Sequence, residues 1–150
     1  MKYLSLLVVL LLALPRYGSA NTGALLVTLE EMNASNLASI QIVPRAVAPK
    51  DAPTIELSSP KLSAPVSSPT PIELKFQPTL PSTVRPETFR VLYGAFEIDI
   101  TKRILSVAKV SESGVFVQEA SLPKGRHKLL MVVEDSAGRR GSRAINFEVK

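Results

Sequence analysis

Apolar and polar residues alternate most regularly near the end of the chain, between Leu122 and Val149. His127, Leu129, Met131 and Val133 fall on one side of an extended segment, and Lys128, Leu130, Val132 and Glu134 on the other. Successive strand side chains point to opposite faces, so each set shares a surface. Farther on, Ile145, Phe147 and Val149 share one face, while Ala144, Asn146, Glu148 and Lys150 share the other. Asp135-Ser136-Ala137-Gly138-Arg139-Arg140-Gly141 lies between the two segments. Asp and Ser bond their own backbone and glycine tolerates positive φ, so this is turn chemistry. Pro123 and Gly125 make a corner before the first segment. The stretch predicts a long β-hairpin.

Shorter alternations precede it. Thr54–Leu57 predicts a strand with Ile55 and Leu57 inward, and Ile72–Phe76 one with Ile72, Leu74 and Phe76 inward. Phe89–Tyr93 groups Phe89, Val91 and Tyr93, and Phe96–Ile100 groups Phe96, Ile98 and Ile100 opposite Glu97 and Asp99. Ile104–Val110 is mixed, and Val115–Val117 is a further strand. Seven or eight short strands with frequent turns and no convincing helix predict an all-β sandwich. Ten of the twelve prolines lie between Pro44 and Pro86, flanking these strands without interrupting them. Pro44–Pro53 reads as an extended linker, and Gln77–Glu87 as a loop that holds Arg85. Asn21–Val43 is less regular. Ala24–Leu29 is apolar, Ile40–Val43 suits a short strand, and Glu30–Ala38 is either a helical turn or loose chain. Leu25, Leu29, Met32 and Asn36 give only an interrupted helical stripe.

The run Leu-Pro-x-Gly-x-His-x-Leu-x-Met-x-Val-x-Asp-x-x-Gly, from Leu122 to Gly138, resembles the last hairpin of bacterial immunoglobulin-like domains. The resemblance implies an Ig-like antiparallel β-sandwich over residues 54–150, with Leu129, Met131 and Val133 facing the core. It puts His127 where that family carries an aromatic residue. It specifies a fold and no activity.

Upstream, Met1–Ala20 has the form of a secretory signal peptide. Lys2 is the charged start, Leu4–Leu14 the apolar run, and Gly18-Ser19-Ala20 the small-residue cleavage site. The run is short for a membrane span, which takes about 20 residues. The expected organisation is signal peptide 1–20, N-terminal extension and proline-rich linker 21–53, and sandwich 54–150, with a periplasmic or secreted address. Membrane contact is then transient, through the signal peptide. With no cysteine, a disulfide, a thiolate site and a lipid anchor on cysteine are all excluded. The net charge is +5, and loss of Lys2 and Arg16 leaves 16 basic against 13 acidic residues, a net +3. So mild a balance does not suggest a nucleic-acid partner.

Candidate chemistry is sparse. His127 is the single histidine, without the partners that a metal site or a catalytic triad needs. Copper carriers of this broad fold group histidines and methionines near a mature N-terminus, and this chain lacks that group. Glu97 and Asp99 share a face at strand spacing, which reads first as a solvated face. Asn33-Ala34-Ser35 fits a glycosylation sequon but reads as chance beside a bacterial-looking leader. Neither a nucleophile motif nor a cofactor fingerprint occurs, so no enzyme and no cofactor is expected. The sharpest polar feature is Arg139, Arg140 and Arg143, expected to share a pole of the sandwich with Arg85 and to hold an anionic group. Leu130 and Val132, with Leu92 and Phe116 added, form an apolar outer face. That face is covered either by the segment Ala24–Val43, the preferred reading, or by a partner. The expected function is a non-catalytic envelope binding module for another envelope protein or an anionic glycan. The alternative is a structural or assembly subunit that uses the outer apolar face.

Overall fold

A computed structural model describes residues 24–38 and 48–150. The leader, the Ile40–Val43 strand and the first part of the linker lie outside the described residues. The strands are β1 (Ala24–Leu25), β2 (Thr54–Ser59), β3 (Thr70–Gln77), β4 (Val84–Tyr93), β5 (Ile98–Asp99), β6 (Ala108–Ser111), β7 (Gly114–Ser121), β8 (Gly125–Asp135) and β9 (Arg140–Val149). They form two sheets. One runs β1-β7-β3-β2, with β6 sharing the β7 edge taken by β1, and the other runs β5-β4-β8-β9. All pairings are antiparallel except β1 with β7.

The alternation that predicts the hairpin also sets its register. Leu129 lies opposite Ile145 and His127 opposite Phe147, and the pairing runs unbroken from Gly125–Val149 to Glu134–Arg140. His127, Leu129, Met131 and Val133 are all buried. They meet Phe89, Val91 and Tyr93 of β4 and, from the facing sheet, Ile55, Leu74, Phe76, Val115 and Val117, in one continuous core. Phe76 and Phe89 pack across the two layers with ring centroids 5.6 Å apart.

Several expectations need correction. Two short helices are present, α1 (Leu29–Leu37) and α2 (Thr101–Leu105). The first is started by a reciprocal cap, Thr28 Oγ1 accepting from Glu31 N and Glu31 Oε2 from Thr28 N. Phe96–Ile100 is not one strand. Gly94 and Glu97 take positive φ of 73° and 50°, so the chain turns there and Phe96 points to solvent. Asp99 accepts a hydrogen bond from Thr101 N and does not pair with Glu97 on a strand face. Arg85 lies within β4, opposite Glu134, and not in a loop. Phe116 is on β7 in the other sheet, so it cannot extend the Leu92 and Leu130 surface.

The N-terminal extension is built into the fold. β1 pairs with the end of β7, Leu26 and Val27 enter the core, and α1 crosses the end of the sandwich. Met32 lies against Gly125, Ser35 Oγ accepts from Ala95 N, and Glu31 pairs with Arg103. This end is called the entry pole below, and the Asp135–Arg139 turn marks the hairpin pole. Truncating Leu129 to Ala should lower the unfolding free energy by about 2–5 kcal/mol in urea titration, whereas Leu130→Ala should cost about 1 kcal/mol or less. Equal losses would mean that the two β8 faces are assigned wrongly.

Candidate functional site

Arg139 and Arg140 lie at the hairpin pole, Arg85 is on β4 opposite Glu134, and Arg143 is farther along β9 opposite Met131; Arg139 and Arg143 have partners inside the fold and Arg85 has one on the surface. Arg139 Nε donates to Asp135 Oδ2 at 2.7 Å, and its Nη2 donates to Ser82 Oγ at 2.8 Å. Its Nη1 lies 3.8 Å from Asp51. Arg143 Nη1 donates to the Ile55 carbonyl at 3.0 Å. Arg85 pairs with Glu87 at 2.9 Å. Arg140 is exposed, with no polar partner among the described residues.

Asp135 is the centre of this pole. It is fully buried, and its Oδ1 accepts from the backbone N–H groups of Ala137 and Arg139 while Oδ2 takes the guanidinium. Burial pushes its pKa up, but the Arg139 backbone N–H, the guanidinium and the Ala137 N–H outweigh it, and the carboxyl sits below its ordinary value of 3.8. Ser136 N donates to Thr83 O, and Thr83 N to Ser136 Oγ, so the turn is tied to the loop before β4. Arg139 is therefore a structural clamp on the closing turn.

The sole histidine is equally committed. His127 Nε2 lies 2.8 Å from the Pro123 carbonyl, which can only accept, so Nε2 carries the hydrogen. Nδ1 is then the acceptor for the Tyr93 hydroxyl at 2.9 Å. The ring stacks on Phe147 at 5.3 Å and 23°. Burial lowers the His127 pKa, partly offset by the Pro123 bond, and burial, with the Glu31 charge, raises Tyr93 to about 12. His127 is neutral in the folded chain and both its nitrogens are occupied. Its ring packs between Tyr93 and Phe147 in the interior. No group of three or more His, Asp or Glu close enough to hold a metal ion occurs among the described residues.

Of the outer apolar pair, Val132 is buried and Leu130 half-buried. Cross-strand neighbours are Arg90 and Ser142 for Val132, and Leu92 and Ala144 for Leu130. Residues 24–38 do not lie over them: their contacts are at the entry pole, and the rest of Ala24–Val43 is outside the described residues.

A surface that sequence reasoning missed lies on the outer face of the five-stranded sheet. It is a shallow groove of ≈ 710 Å³ lined by Glu73, Lys75, Gln77, Lys109, Ser111 and Phe116 along with the strand backbone. Phe116 is 43% exposed, with Glu73 opposite it on one side and Lys109 on the other. Gly114 forms the floor. A Cβ there would run into the Leu74 carbonyl, and its φ of 155° disfavours other residues. Lys75 reaches Glu73 at 3.9 Å, whereas Lys109 has no polar partner among the described residues. The sequence signal was the phenylalanine between Val115 and Val117 on the face that alternation sends outward.

Comparison with known proteins gives no match to a protein-family model, to a curated protein or to a solved structure.

Two predictions follow from the buried ionisable groups. His127 has a depressed pKa, so only the unfolded chain takes up its proton between the ordinary value of 6.5 and the lower folded value. The melting temperature should fall as pH drops below about 6.5. His127→Phe should abolish that slope while costing about 1–3 kcal/mol, because Tyr93 Oη and the Pro123 carbonyl lose their partner. The carboxylates act at lower pH. Glu31 is held at about 2, down from 4.5, chiefly by the Arg103 guanidinium, and Asp135 also lies low. Their stabilisation is complete above about 4.5 and should disappear as pH falls toward 2. Glu31→Gln should flatten that acid limb in a calorimetric pH series. Arg139→Ala should lower the melting temperature well beyond Arg140→Ala, and equal effects would contradict the clamp.

Proposed function

We propose that the chain is an exported, non-catalytic immunoglobulin-like module that binds an anionic glycan on the outer face of its five-stranded sheet. Strand order supports the immunoglobulin-like reading. Starting from β2 as the first strand, the sheets run first-second-fifth with the fourth beyond (β2-β3-β7-β6), and third-sixth-seventh with an added edge strand (β5-β4-β8-β9). Those are the neighbours that this architecture requires. The non-catalytic reading is supported by His127, whose nitrogens are both engaged in the interior, and by Asp135, which is closed off by Arg139.

The observation that carries the ligand class is Phe116 set between Lys109 and Glu73 over the Gly114 floor. An exposed aromatic face stacks on the C–H face of a sugar ring, the flanking Lys109 ammonium donates to its carboxylate, and the Glu73 carboxylate accepts from its hydroxyls. Arg140 at the hairpin pole remains a second anion contact, because its guanidinium is exposed. The alternative, an assembly subunit that uses the outer apolar face, has less support, because Val132 is buried and Leu130 half-buried within the sheet.

The test is affinity electrophoresis of residues 21–150 through gels containing a polyuronate or a neutral glucan. Retardation in the polyuronate gel is expected to be lost in Phe116→Ala/Lys109→Ala and retained in Arg140→Ala, with melting temperatures unchanged. Loss in Arg140→Ala alone would move the site to the hairpin pole. No retardation by either polymer would reject the glycan reading.

A further inference from the structure

Eight large hydrophobic side chains are exposed among the described residues, and six of them gather at the entry pole: Leu25, Leu29, Leu37, Phe96, Leu105 and Val107. Leu29, Leu37 and Phe96 are 62%, 86% and 63% exposed. Hydrogen bonds and register bring them together. α1 carries Leu29 and Leu37 at its two ends, and Ser35 between them accepts from Ala95, next to Phe96. Arg103 of α2 reaches both Glu31 and the Leu26 carbonyl, which seats α2, and with it Leu105, beside this pole. Val107 precedes Ala108, which pairs with Val117, while Ala24 pairs with Ala120 three residues along the same β7 edge. Scattered apolar side chains need no explanation, but a concentration at one end does.

Two further observations bear on what covers this pole. Ala24, the first described residue of this segment, lies here, and the sequence before it includes the apolar run Leu4–Leu14. Pro15–Gly23 separates the two, and nine residues reach at most roughly 30 Å. A bilayer holding that run therefore lies within reach of the exposed leucines for as long as the leader is attached. The rim also carries Lys102, Lys124 and Arg126, placed by α2 and by the start of β8. Glu30 in the first turn of α1, Glu97 beside Phe96 and Glu148 opposite Arg126 limit the electrostatic share. We infer that the entry pole is a membrane-contact surface: Leu29, Leu37, Phe96 and Leu105 dip into the interface between lipid headgroups and acyl chains, with lysine and arginine on the headgroups. This goes beyond glycan binding, which uses the five-stranded sheet's outer face.

The experiment is flotation of residues 21–150 and of the full chain with vesicles of phosphatidylcholine, alone or with one quarter phosphatidylglycerol. Residues 21–150 should float with both, more completely with the anionic vesicles. Leu29→Asp/Phe96→Asp should weaken partitioning by about tenfold or more, as expected for charges forced into an apolar interface. Leu80→Asp, an equally exposed leucine in the loop at the opposite pole, should change nothing. Circular dichroism and the melting temperature should be unaltered in all three, since the substituted side chains are exposed. If residues 21–150 fail to float, or if Leu80→Asp weakens flotation as much, the inference is overturned. Absence of flotation together with a concentration-dependent dimer that Leu29→Asp/Phe96→Asp dissociates would assign the pole to a second copy of the chain, and equally overturn it. Loss of polyuronate retardation leaves this result untouched, so the two readings fail separately.

Discussion

With no cysteine in the chain, the two sheets meet through an apolar core, with Arg143 bonding the Ile55 carbonyl across them, and that core is only as good as its closure at both ends. A sandwich is open at its poles, where water reaches the core and where strand ends leave polar backbone unpaired. Each pole here is closed by a different physical device. At the entry pole a segment from outside the sandwich proper supplies bulk: Leu26, Val27 and Met32 fill the opening, and Glu31 ties them to α2 through Arg103. At the hairpin pole, beside the buried Val84 and Pro53, a buried carboxylate gathers two backbone N–H groups and one guanidinium around itself.

Both devices respond to acid through a carboxylate. The apolar filling is itself indifferent to pH, but the Glu31–Arg103 tie beside it and the Asp135 turn hold only while ionised. Just inside the entry pole, Tyr93 and His127 add a third element. Their shared hydrogen bond lets a hydroxyl and an imidazole sit in the interior without an unpaired polar atom, and the ring faces still contribute apolar area. Burying polar groups is tolerable only when every partner is in place. The same geometry that makes His127 a sound structural residue removes it from chemistry. A nitrogen bonded to a proline carbonyl and another bonded to a tyrosine hydroxyl leave nothing to offer a substrate or a metal.

Much of this fold could be read from alternation. The β8 and β9 faces, the inward set on β3 and β4, and the turn after Asp135 all follow from period-two patterning with turn residues at its limits. Failures have identifiable causes. Helix α1 is nearly non-periodic, because only Met32 of its nine residues is buried; its signal was instead the Thr28 and Glu31 capping pair, which sits outside any hydrophobic pattern. Phe96 looked like a strand residue because Ile98 and Ile100 follow at the right spacing, but Gly94 and Glu97 turn the chain between them. Arginine partners are set by contacts between residues distant in sequence, as with Arg139 and Ser82 or Arg143 and Ile55, and no local pattern reports those. The groove around Phe116 was invisible for the same reason: it exists only because β3 and β6 flank β7 with Glu73 and Lys109.

The placement of unspent surface then follows from how the ends are closed. A guanidinium used to neutralise a buried carboxylate is not available to an anion from solution, so Arg139 serves closure, while Arg140 and the Glu87-paired Arg85 stay exposed. The entry pole behaves oppositely. Filling it with a short capped helix buries one side of α1 and necessarily presents the other, and that other side carries leucine at both ends instead of the charged residues that solvent alone would favour. Outer sheet faces are ordinarily polar when an antiparallel sheet packs on one side only. The five-stranded sheet keeps to that rule with Glu56, Lys75, Gln77 and Lys109, and breaks it at Phe116. That exposed ring between charges of opposite sign is the ground on which the proposed glycan site is placed there.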